Sequence, residues 1–206
     1  QWVADSLAER DPRWQKARVM DYELSLYDTQ DPALVGIDES FITSARLDNL
    51  LSCYAGMTAL INADDSEWSA LVATDHEEVG SASTVGAQGP MLMDALTALV
   101  PDAQGNQQLR TESWMLSVDN AHAVHPNFAD RHDDQHSPRL GSGPVLKMNR
   151  NQRYATDGEG AARLRLLAER AEVDVQAFVM RADLACGSTI GPITATETGI
   201  ATTDLG

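Results

Sequence analysis

Four short apolar runs, at residues 68–73, 114–118, 143–149 and 175–180, alternate along this chain with segments whose apolar residues return at helical spacing. A run of strand length needs neighbours for its backbone groups, and a helix with one apolar face needs something to cover it. Their alternation over 206 residues predicts one α/β domain, although the order of the strands is not written in the pattern. Helices are expected over 1–19 with an interruption at Pro12, over 45–61 with Leu47, Leu50, Leu51, Tyr54, Met57 and Leu60 on the pattern, over 90–100, and over 160–173. Residues 20–42 read as extended and turn-rich, and 127–143 as loop. No repeat, low-complexity tract or linker breaks the series.

Charge excludes two classes of partner. Asp and Glu number 31 against 15 Lys and Arg, a net charge of −16. A field of that sign repels phosphate backbones and anionic lipid, so neither nucleic acid nor a membrane surface is expected as a partner. No apolar run reaches the ~18–20 residues of a membrane span, and the charged, amphipathic start does not read as a secretory signal. Two cysteines are too few for a disulfide framework or a Cys-based zinc site. A reducing, cytoplasmic setting is the expectation. Only Lys16 and Lys147 are lysines among the basic residues, which singles out each of them.

The chemistry gathers where apolar segments end in carboxylates. Asp48 lies in Ser44-Ala-Arg-Leu-Asp-Asn-Leu, Glu77 and Glu78 in Asp75-His-Glu-Glu-Val-Gly-Ser, and Asp119 in Ser117-Val-Asp-Asn-Ala-His-Ala-Val-His-Pro. Glu77, Glu78 and Asp119 follow predicted strands, and ligands of open α/β sheets bind beyond the carboxyl ends of strands. Shielded carboxylates need a cation or strong hydrogen bonds. Basic residues are scarce around these acids, so a bound divalent metal is the simplest compensation. Side chains of adjacent residues diverge, so one of Glu77 and Glu78 can bind metal while the other reaches a water whose acidity the metal has raised. Asp48 is available as a bridge between two ions, and His122 and His125 add ligand-capable groups beside Asp119. By softness alone this oxygen-rich set suits Mg or Mn as well as Zn. Plainer readings stand beside these: a solvated Glu-Glu loop, Asp48 as a helix cap or partner of Arg46, Cys53 and Cys186 as small apolar fillers, His132 and His136 as solvated loop residues. The turn at 187–191 resembles an anion cradle without the lysine of a P-loop.

Five segments occur in order: 44–50, 75–81, 117–127, Lys147-Met-Asn-Arg-Asn-Gln-Arg-Tyr-Ala-Thr-Asp157, and Cys186-Gly-Ser-Thr-Ile-Gly-Pro-Ile193. Together they closely resemble the aspartyl aminopeptidase family of dinuclear zinc exopeptidases, from about residue 20 onward. The resemblance implies an α/β catalytic domain of the zinc-exopeptidase kind with a mixed sheet flanked by helices. It implies two divalent ions, zinc with Mn²⁺ or Co²⁺ as substitutes, bridged by Asp48 and bound by Glu78 and Asp119. Glu77 would act as general base and acid for a metal-bridging hydroxide that attacks the first peptide bond. Lys147 and Tyr154 would help form the pocket for an acidic first residue, Asp or Glu, and His122 and His125 would stabilise substrate or intermediate. A homododecamer is implied as well. The family has two further histidine ligands, one before the Asp48 segment and one beyond the Gly-Pro-Ile segment. No His precedes His76 here and none follows His136. Residues 1–206 are therefore expected to be a partial catalytic domain, without the family's N-terminal part and most of its inserted dimerisation domain. The rival expectation is a truncated or non-catalytic remnant of the same fold.

Overall fold

The computed structural model describes residues 1–206 and divides into two units, 1–45 and 46–206. In the first unit, α1 (Trp2–Arg10) stops at Asp11, whose side chain accepts a hydrogen bond from the Arg13 backbone N–H at 2.9 Å and opens a 3-10 turn, Pro12–Trp14. The helix expected over 1–19 is cut where Pro12 removes a backbone donor. β1 (Ala33–Val35) and β2 (Phe41–Thr43) then form an antiparallel hairpin. Gly36 starts its turn at φ +97°, a conformation that side chains disfavour.

The second unit contains α2 (Leu47–Asn62), α3 (Met91–Leu99), α4 (Ala103–Glu112), β3 (Trp114–Val118), β4 (Val145–Met148), α5 (Gly158–Arg170), β5 (Gln176–Val179), α6 (Ile190–Thr198) and β6 (Ala201–Leu205). Four strands make one mixed sheet in the order β3-β6-β4-β5. The outer pairs β3–β6 and β4–β5 are parallel, and the central β4–β6 pair is antiparallel. Leu146 is fully buried at the sheet centre, and Val145, Tyr154 and Phe178 form a buried apolar cluster. α5 and α6 both pack on β6.

Three elements depart from the sequence pattern, each for a physical reason. β6 reads Ala-Thr-Thr-Asp-Leu, too polar to register as a buried run, yet Thr202, Thr203 and Asp204 are buried. Their polar atoms are satisfied internally: Thr203 Oγ1 accepts from Trp114 Nε1 at 3.0 Å, and Thr202 Oγ1 donates to the Ile200 carbonyl at 2.9 Å. α4 has no apolar period. It is capped by Asp102, which accepts from Gly105 N–H at 2.7 Å, and held by hydrogen bonds: buried Asn106 donates to the Leu96 and Val100 carbonyls, and Arg110 donates to the Thr198 carbonyl. The strand expected at 68–73 does not form, because no strand runs alongside to complete its ladder. Trp68 is exposed, and Leu71 lies instead against Gly56 of α2.

Candidate metal centre

The head of α2 is not helical. Arg46 takes φ +61°, and Asp48 and Asn49 have φ/ψ of −85°/109° and −122°/32°, with a cis peptide between them. Asp48 is exposed at the head of the helix. Asn49 Nδ2 donates to the Val118 carbonyl at 2.7 Å, and Ser52 Oγ donates to Asn120 Oδ1 at 3.5 Å. These bonds tie α2 to the end of β3, where Asp119 leaves the sheet after donating its own N–H to the Leu205 carbonyl at 3.0 Å.

A loop closed on itself supplies the other acids. Asp75 N–H donates to the Val85 carbonyl, Ser81 N–H to the His76 carbonyl at 2.8 Å, and the His76 ring shares a hydrogen bond with Ser83 Oγ at 2.7 Å. His76 sits at φ +62°, and the single 3-10 turn Glu77–Val79 follows it. This fixes Glu77 half-buried and Glu78 exposed.

Asp48, Glu77, Glu78 and Asp119 fall into one electrostatic neighbourhood. Burial holds the Glu77 carboxyl above the usual glutamate range, and the negative charges of Asp119, Glu78 and Asp48 push it further, against the pull of Lys147. Asp119 is also raised, by burial first, while Lys147 lowers it and Asp48 raises it. Asn49 Oδ1, at the head of the same helix, is buried with no partner. No three His, Cys, Asp or Glu side chains are gathered tightly enough to hold a metal ion as they stand. The donor set still fits a divalent cation in its chemistry: it is all oxygen, crowded with like charge, and relieved only by positive charge.

Lys147 is the one cation in this neighbourhood, and it is 3% exposed. Its Nζ donates to the Asp119 carbonyl at 2.6 Å and the Asn120 carbonyl at 3.1 Å, lies 3.5 Å from Asp119 Oδ2, and sits 5.7 Å from the Tyr154 ring centre. β6 separates β4 from β3, so Lys147 must cross it to reach Asp119. It crosses at Gly206, where an added β-carbon would lie 2.5 Å from the Asp119 carbonyl oxygen and 2.6 Å from Lys147 Cε. Tyr154 is buried, and its hydroxyl is pushed upward by that burial and then by Cys186. His122 and His125 are exposed, and no hydrogen bond joins either to the carboxylates. His125 Nδ1 instead accepts from Asn127 N–H at 3.1 Å, and its ring leans on Phe128. Sequence reasoning passed over Asn49 and Asp204. The first was signalled only by its position beside Asp48, the second not at all.

A family model described as aminopeptidase I zinc metalloprotease (M18) matches residues 3–206. A probable M18 family aminopeptidase 2 of Pseudomonas entomophila is 58% identical over 188 residues, covering 91% of this chain and 44% of that protein. Among solved structures, a chain from the cryo-EM structure of the Ape4 and Nbr1 complex is 38% identical with TM-score 0.80, over 87% of this chain and 36% of that one. The S. cerevisiae mApe1 dodecamer is 32% identical with TM-score 0.72, over 87% of this chain and 42% of that one. The chain thus spans less than half the length of the relatives it matches.

Proposed function

Since the chain belongs to the M18 family of zinc metalloproteases, we propose that it carries most of the carboxylate side of an aminopeptidase site that releases N-terminal Asp or Glu from peptides. The observation that carries the reading is the shared electrostatic neighbourhood of Asp48, Glu77, Glu78 and Asp119, which come from three separate segments, two of them tied together at the head of α2 and the end of β3. Asp48, Glu78 and Asp119 would hold two divalent ions, zinc with Mn²⁺ or Co²⁺ as substitutes, which supply Lewis acidity toward the first peptide carbonyl and toward water.

The chain's own residues do the rest. Glu77 is half-buried, and burial and the neighbouring acids raise its carboxyl, the direction that suits a group that takes up and returns a proton. It accepts the proton of the attacking water at a carboxylate oxygen and returns it to the nitrogen of the leaving amine. Lys147 supplies positive charge toward an acidic first side chain in a protein of net charge −16. Its protons are engaged with Asp119 and Asn120, so such a contact draws on one of them. Tyr154 keeps its hydroxyl proton throughout the working range and serves as a hydrogen-bond donor. His122 and His125, on the exposed stretch after Asp119, assist substrate binding.

The dodecameric relative supports a homo-oligomer. Two free cysteines fit a reducing compartment such as the cytoplasm, and no helix is long and apolar enough to cross a membrane.

The test uses the complete gene product and peptides beginning with Asp, Glu, Ala or Leu, before and after chelation. Release of Asp and Glu that stops on chelation and returns with zinc is expected. Equal release of all four first residues refutes the acidic specificity, and activity indifferent to chelation refutes the metal centre.

A further inference from the structure

Asp204 is 1% exposed on the central strand, and no cation pairs with it. Its Oδ1 accepts from Ser117 Oγ at 2.8 Å and Thr189 Oγ1 at 2.6 Å, and its Oδ2 accepts from the Ala155 N–H at 2.6 Å. The Asp204 N–H donates to Thr156 Oγ1 at 2.9 Å. A buried carboxylate without an ion pair persists only when its oxygens are saturated with donors, and this one is. The carboxylate also rests against Gly191 in the first turn of α6, where a β-carbon would have no space. The positive end of that helix favours it further. The anion cradle suggested by residues 187–191 is thus filled by the chain's own side chain.

The three donors belong to the three segments that border the candidate site. Ser117 is paired with Asp204 across the β3–β6 ladder and stands two residues before Asp119. Ala155 follows Tyr154. Thr189 ends the stretch that begins at Cys186, which packs beside Tyr154. We propose that Asp204 is a positioning residue: one buried carboxylate sets the spacing between the strand that presents Asp119 and the segment that presents Tyr154. The inference rests on the reading of Asp119 as a metal ligand given above.

Position, rather than charge, is what Asp204 supplies. An asparagine can keep all three links, with its carbonyl oxygen on the Ala155 N–H and its amide protons on two hydroxyls that rotate to accept. Alanine keeps none. Residues that orient metal ligands from outside typically change affinity about 10–100-fold when removed.

The experiment measures the zinc dissociation constant by competition with a chelator, without substrate, in the complete gene product. The variants are Asp204→Ala, Asp204→Asn and Ser117→Ala. Thr198→Val, which loses the buried hydroxyl bonds to the Thr194 carbonyl and from the Ile200 N–H at the opposite end of α6 from Thr189, serves as the stability control. Asp204→Ala is expected to weaken zinc about 10-fold or more, Asp204→Asn to restore most of that loss, and Thr198→Val to leave zinc unchanged while lowering Tm. Ser117→Ala, which cuts only the link to β3, is expected to weaken zinc several-fold and lower kcat without moving KM. A folded Asp204→Ala with wild-type zinc affinity overturns the proposal. So does an Asp204→Asn as impaired as the alanine variant. If Asp204→Ala does not fold, Ser117→Ala decides, and wild-type zinc affinity in that variant overturns it. A wild-type protein that binds zinc without releasing N-terminal residues refutes the aminopeptidase reading and leaves these comparisons intact. One that binds no zinc overturns both.

Discussion

Replacing Lys147 with methionine removes the one positive charge among the acids while keeping a side chain of similar length. Four consequences can be read from its surroundings. The Asp119 and Asn120 carbonyls lose donors at 2.6 and 3.1 Å, the Asp119 carboxylate loses a cation at 3.5 Å, and the Tyr154 face loses a contact at 5.7 Å. Hydrogen bonds to charged groups are worth about 1.5–3 kcal/mol each, and removing one member of a buried ion pair costs about 3–5 kcal/mol. The ammonium had to be desolvated to lie here, which offsets part of the loss, so about 3 kcal/mol is the expected net. In a chain of 150–250 residues each kcal/mol moves Tm by roughly 2–4 °C, giving a drop of roughly 6–12 °C. Calorimetry on chelator-treated protein reads it directly. Lys147 also lowers Asp119 and Glu77, so its loss raises both and carries the acid limb of kcat toward higher pH. A Tm within about 1 °C of wild type would refute the argument that these bonds hold Asp119 in place.

Glu77→Gln is expected to keep its zinc while kcat falls about 10²–10⁴-fold, whereas Glu78→Gln loses zinc; equal zinc and equal residual activity in the two variants would reverse the roles. Because Glu77 is raised in the folded protein, its contribution to stability is full below its unfolded value and is lost as pH rises through the folded one. Thermal scans of chelator-treated protein should therefore show wild type losing stability relative to Glu77→Gln as pH rises above the ordinary glutamate range, and zinc should abolish that loss. Gly206→Ala forces a β-carbon to within 2.7 Å of Ala121 N as well as onto Asp119 and Lys147. It should cost about 1–3 kcal/mol and weaken zinc, while Gly187→Ala, with nothing within 4 Å, stays within about 0.5 kcal/mol of wild type.

The parts of this fold that rely on apolar burial were legible from the residues alone. β3 begins and ends where its run Trp-Met-Leu-Ser-Val does, and α3 and α5 fall where leucines recur. The parts that rely on polar satisfaction were not. α4 is held by Asn106 and Arg110, and β6 buries threonines whose partners belong to distant segments, so neither leaves an apolar signature. The same division runs through the site. Asp48, Glu77, Glu78 and Asp119 drew notice as carboxylates in or at the ends of apolar segments, but their proposed roles came from the ordered motifs that resemble the aminopeptidase family. Lys147 stood out by its rarity, but its path to Asp119 runs past a bare glycine, Gly206, just beyond the intervening strand. Asp204 sits among threonines, and its importance emerges only when its three donors are seen to come from three segments.

The strand order also dictates a schedule for synthesis. β6 lies between β3 and β4 but is translated after both, so the sheet has no middle until residues 201–205 leave the ribosome. At about 5–20 residues per second, the stretch from Met148 to Leu205 takes roughly 3–11 s to make. During that interval β3 and β4, the latter joined by β5 once residue 179 is made, each present an open hydrogen-bonding edge, the kind of template on which nascent chains misassociate. The Asp119 N–H meanwhile lacks its partner, the Leu205 carbonyl. The sheet is therefore completed by one late insertion, and a chain stalled before residue 201 lacks its middle strand.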